Sequence, residues 1–141
     1  MSTTPALVLP DAEHAIRSWL RGCDLGGASR KVFFGIPKEP PAVPYPLVVL
    51  GRVGGSPIDE IDHDDAEMQF DVLARAKREA ALISAALVAC VRGLRMGDRL
   101  GDDAVTSGGR IIFGPLWRPE DDRDLSRYVI GARFVLRARS V

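Results

Sequence analysis

From Ala66 onward, apolar Met68, Phe70 and Val72 alternate with polar Gln69 and Asp71, which predicts a strand with one wet face. The pattern runs straight into a helix from Lys77 to Arg92, stopped by Gly93. Between Ala80 and Val91 its only polar residue is Ser84. Such a helix has more apolar surface than one sheet face can cover, so a second layer or a neighbouring subunit must take the remainder.

The rest of the chain reads as further short elements. Asp11, after Pro10, caps a helix whose stripe is Ala12, Ala15, Ile16, Trp19 and Leu20, and Gly22, Gly26 and Gly27 end it. Residues 31–35 predict a short strand, and the prolines of 36–46 a stiff extended loop. A strand over 47–53 is broken by Gly54, Gly55, Ser56 and Pro57. Residues 95–109 are polar and contain glycine, which predicts a loop, and 110–117 predict a strand kinked at Gly114 and Pro115.

The closing strand, 126–139, puts Tyr128, Ile130, Ala132, Phe134, Leu136 and Ala138 on one face and Arg127, Arg133, Arg137 and Arg139 on the other. At ~3.3 Å per residue it spans about 45 Å, beyond the ~37 Å diameter of a compact chain this long. Either Gly131 marks a bulge that bends it, or it projects as a ribbon whose open edge accepts another strand. Together these elements predict an α+β fold: one domain, 1–141, with a mostly antiparallel sheet of four to five strands and two main helices packed on one face.

Composition agrees with a soluble globular chain. Of 141 residues, 46% are hydrophobic and 27% charged, enough for an ordinary core without disulfides or metals. The 19 basic residues balance the 19 acidic ones, which predicts no general affinity for nucleic acid or membranes. Cys23 and Cys90 lack metal-knuckle spacing; Cys90 reads as a small core residue, and a bridge between the two would be a minor outcome in a reducing compartment. The N-terminal stretch shows no basic region followed by a long apolar run, so the expected location is the cytoplasm in which the chain is made.

Catalytic signatures are sparse. The chain has no G-x-S-x-G elbow, Walker loop, G-x-G-x-x-G after a strand, H-E-x-x-H or paired C-x-x-C. His14 lies on the first helix beside Glu13 and Arg17, where solvent exposure is expected. Within the acidic run 59–67, Asp62, His63, Asp64 and Asp65 could gather a divalent cation. The spacing matches no calcium loop, no second acidic cluster completes a two-metal pair, and a solvated loop or a charged wall is the alternative. Trp117 and Arg118 form either an interface anchor or, for the tryptophan, a plug at the end of the core. The expectation is no active site, no cofactor and no metal.

Four passages, DAEHAIRSWLRG, PYPLVVLGRV, MQFDVLARAKREAALISAALVACVRGL and RYVIGARFVLRAR, cover most of the chain. In wording and order the sequence resembles the tail-terminator, or tail-completion (minor tail), proteins of long-tailed phages and prophages. The resemblance implies a structural virion-assembly protein that caps the head-proximal end of the tail tube as a homo-oligomeric ring, commonly of six subunits. Such a ring stops tube growth and joins the head-side connector protein, and DNA passes through it without specific binding. The protein would then be found in the host cytoplasm during assembly and afterwards in the virion.

On that reading the subunit-interface candidates are Leu82, Ala86, Ala89, Trp117, Arg118, Arg133, Val135 and Arg137, and the lumen-facing candidates are Asp59, Glu60, Asp62, Asp64 and Asp65. Competing readings are a head-closure or connector (neck) protein, a small metal-dependent cytosolic enzyme using 59–67, and a ligand-binding oligomeric module with a closed apolar pocket.

Overall fold

Residues 7–37, 45–55, 63–101, 104–118 and 125–140 are described by the structure, a computed structural model. Its helices are α1, Ala12–Arg21, and α2, Lys77–Arg92. The strands in chain order are β1 (Leu7–Val8), β2 (Val32–Phe33), β3 (Leu47–Gly54), β4 (His63–Ala74), β5 (Arg99–Leu100), β6 (Ala104–Trp117), β7 (Ser126–Arg137) and β8 (Arg139–Ser140).

Six strands form one mixed sheet in the order β2-β3-β4-β7-β6-β5, and β1 pairs with β8 as a separate ribbon. Among the described strands only the β2–β3 pair is parallel, and the other pairs are antiparallel. Alternation along β4 and β7 sends Ala66, Met68, Phe70, Val72, Ile130, Ala132, Phe134 and Leu136 to one face, all of them buried. Both helices pack on that face, as the two amphipathic patterns imply.

α1 begins as expected, with the Asp11 carboxylate accepting the His14 N–H at 3.2 Å. Ala12, Ala15, Ile16 and Leu20 turn inward. α2 lies over β4, β6 and β7 through Ala80, Ile83, Leu87 and Val91. Its close approach depends on Gly109, where an added Cβ would come within 3.1 Å of Leu94 and 3.3 Å of Val91 and Phe134. The edge-to-face contacts of Phe134 with Trp19, at 5.9 Å, and with Phe70, at 6.1 Å, tie α1 to the sheet centre.

Four expectations need correction. The sheet has six strands where four to five were expected, because β2 and β5 are two-residue strands with almost no pattern of their own. Residues 95–109 are not all loop: β6 starts at Ala104, its polar pattern arising because Thr106 points inward with its hydroxyl 2.9 Å from the Val135 carbonyl. β4 starts at His63, three residues before Ala66.

The long strand neither bulges at Gly131 nor projects. β7 pairs with β4 without a break from His63↔Arg137 to Ala74↔Ser126, and the register shifts fall in β6. Gly131 is there because the Phe113 ring lies across it, 2.1 Å from where a Cβ would stand. With β4 and β6 on its two sides, β7 is an interior strand and offers no open edge. Residues 38–44, most of the expected proline loop, lie outside the described residues.

Candidate functional site

The surplus apolar surface of α2 is real but confined to one flank. Ala86, Val88 and Cys90 are half-buried against the core, whereas Ala85 and Ala89 are exposed and Leu82 is 60% exposed. The single polar residue, Ser84, is buried with its hydroxyl donating to the Ala80 carbonyl at 2.8 Å, so it costs the apolar character nothing. Between this flank and the sheet lies a groove of about 710 Å³, floored by Ala81, Ala85, Val88 and Ala89 and walled by Pro115 and Tyr128.

β6, which supplies Pro115 to the groove, has an outer edge that the described strands cover only in part. β5 pairs only with Ala104 and Val105, and the 97–98 turn adds backbone bonds to Thr106 at 2.8 and 2.9 Å. Past that point no described strand pairs with the outer side of 107–117. Ile112, Phe113, Leu116 and Trp117 on this stretch are exposed. An open edge carrying large apolar side chains is what monomeric proteins avoid, so the arrangement points to an association surface.

Trp117 is not a core plug. It is 48% exposed, and the Lys77 ammonium sits 3.8 Å from its ring centroid. Arg118 beside it is exposed and donates its backbone N–H to the Arg127 carbonyl at 2.7 Å.

Arg133, Val135 and Arg137 lie elsewhere, on the sheet face opposite the helices, so the interface candidates split between two faces. Arg133 pairs with Glu67 and, at 3.2 Å, with Asp65; Arg127 pairs with Asp71 at 3.6 Å. Arg137 reaches the Ser107 hydroxyl at 3.4 Å. These are cross-strand ladders that let a charged face stay half-buried without a covering layer.

The described part of the acidic run is therefore strand, with its carboxylates matched to arginines. Asp64 points to the helix side, is 3% exposed, and takes two 2.7 Å bonds from Arg52. In a single copy its charge is buried and neutralised by Arg52, and Asp65 shares the Arg133 guanidinium. Asp59, Glu60 and Asp62 lie outside the described residues. No group of three or more His, Cys, Asp or Glu among the described residues is placed to hold a metal ion.

Cys23 and Cys90 are both free. Burial, with the adjacent Cys90 thiol adding to it, pushes Cys23 up to about 12, so it stays a thiol at neutral pH. No helix of the described residues is long and apolar enough to cross a membrane.

Reading the sequence located α2 and Trp117 but missed Pro115 and Tyr128 as walls of the groove and Ile112 and Leu116 as exposed apolar positions of β6. The available signal was that 111–117, IIFGPLW, is apolar on both faces and so cannot be a half-buried strand with one wet side.

No family model matches this chain, and no curated protein matches it. Among solved structures, a chain of the "Virion of native gene transfer agent (GTA) particle" is similar, with a TM-score of 0.58 and 18% sequence identity. The match covers 77% of this chain and 80% of that one. At this identity the likeness establishes a shared fold.

Proposed function

We propose that this chain is a structural protein of a phage-like virion, closing the head-proximal end of a tail tube as a homo-oligomeric ring. The observation that carries the reading is apolar surface open to solvent in a single copy, as the groove along α2 and as the large apolar side chains on β6. Two further features support it: a fold shared with a chain from a virion particle, and the order of elements that resembles tail terminators. In a ring, one patch of each subunit meets a different patch of the next, and closure follows when the rotations sum to a full turn. Six copies, a tube-facing side and a connector-facing side complete the proposal, with DNA passing through the centre.

The test is end-capping of assembling tail tubes. Mixed with tail-tube protein, the wild-type chain should give tubes of limited length, each with a ring at one end in electron micrographs. Leu82→Arg and Leu116→Arg, both at exposed positions, should change folding stability by about 0.5 kcal/mol or less yet abolish capping. Binding to the head-side connector protein with none to the tube would instead assign the chain to the neck and overturn tail capping.

A further inference from the structure

The zero net charge of the chain conceals a segregation of charge between the two ends of the sheet. Among the described residues of 47–74, which hold β3 and β4, four are acidic, Asp64, Asp65, Glu67 and Asp71, and one is basic, Arg52. Among the described residues of 75–118, which hold α2, β5 and β6, eight are basic and two acidic, Glu79 and Asp98, and all eight basic residues are exposed. Arg127 and Arg133 of β7 offset two of the four acidic charges on β4, and with the Glu13 carboxylate beside β3 the described part of the β3–β4 end stays net negative. In the strand order, β3 and β4 lie toward one end of the sheet and β6 and β5 at the other.

The backbone matches the charge. β2 covers β3 only at Val48 and Val49, so the outer side of 50–54 has no described strand beside it. Val53 on that stretch is 58% exposed, and the Glu13 carboxylate lies at the edge, accepting the Arg52 N–H at 3.3 Å. Three successive antiparallel pairings separate β3 from β6, so the two strands run in opposite directions. A second copy placed beside β6 in the same orientation therefore presents its β3 antiparallel to it, with both pairs of helices on the same face. One cross-strand row, Arg110, Arg133, Glu67 and Gly54, already links the two edges through the sheet.

Resting on the ring reading above, we propose that the β6 edge of one copy docks antiparallel on the β3 edge of the next. Arg110 then faces the acidic β3–β4 end, Ile112 packs near Val53, and the sheets join head to tail. A contact of this kind is heterologous and repeats until the chain of subunits closes.

Cysteine cross-linking tests the edge directly. A Val53→Cys, Ile112→Cys double variant should, on mild oxidation, give a ladder of disulfide-linked species beyond the dimer. Each single variant, carrying the native Cys23 and Cys90, should stop at the wild-type background. Arg110→Glu added to the double variant should remove the ladder at low salt. Disulfide-linked dimers from a single variant would mean that like edges meet, and would overturn the proposal. Absence of a ladder while wild-type protein is oligomeric by light scattering would overturn the edge pairing and leave the ring standing. Absence of both would overturn the two together.

Discussion

Phe134→Ala should destabilise the fold by about 3 to 5 kcal/mol, the largest single-residue effect expected in this chain. Phe134 is fully buried on the interior strand β7 and makes edge-to-face contacts with Phe70 and Trp19. Removing it deletes the ring that joins α1, α2 and the sheet, and the surrounding positions are poorly able to close the gap. Gly109 has no side chain to move inward, and Ala132 and Ala66 are already small. Since natural domains hold roughly 5 to 15 kcal/mol in total, this variant should melt ~10 to 20 °C lower. Thermal denaturation followed by circular dichroism measures it. A much smaller shift would mean that α1 and α2 do not share one core.

Arg52→Ala should be the next largest, at about 2 to 3 kcal/mol, because it strands the buried Asp64 carboxylate without its counter-charge. The side chain of Asp64 is 5% exposed and that of Arg52 is 30% exposed, which places the estimate below the range for a fully buried pair. The same exposure predicts an asymmetry. Asp64→Ala leaves a guanidinium that water can reach, so it should cost less than Arg52→Ala, and the double variant less than the sum of the two singles. Arg52→Lys should fall between, because an ammonium cannot reproduce the two parallel 2.7 Å bonds. Chemical denaturation of the four variants decides it. Equal losses for the two alanine singles would show that the carboxylate is hydrated and the pair is a surface feature.

Where burial on one face set the pattern, the sequence was a good guide. α2 could be read with both ends correct, Asp11 as the cap of α1, and the inward faces of β4 and of β7 as far as Leu136, because each repeats a period that a single core imposes. The strand read over 126–139 ends at Arg137, and 139–140 pair with β1 instead. Where long-range partners decide the structure, it was a poor one. The acidic start of β4 reads as a solvated loop because Arg52 and Arg133, which neutralise it, lie 12 and 66 positions from their carboxylates. β7 looks like a projecting ribbon because nothing local says that β4 and β6 will flank it along its length.

The same limit applied to the association surface. Its helical half was visible as surplus apolar area, whereas the open edge of β6 follows from the strand order alone. Of the candidates on the opposite sheet face, Arg133 is matched to Asp65 and Glu67 within the subunit, whereas Arg137 reaches the Ser107 hydroxyl. Composition concealed the last element, since a total of 19 against 19 hides a basic α2–β6 end and an acidic β3–β4 end.

The central claim is that the α2–β6 face is covered by another protein chain, first of all by a further copy of this one. Light scattering of the purified chain over a rising concentration series tests it most directly. The account predicts a mass that climbs from the 15.3 kDa of one copy toward a small fixed multiple, and that Leu116→Arg holds at one copy. A mass of one copy at every concentration, for both proteins, would contradict it.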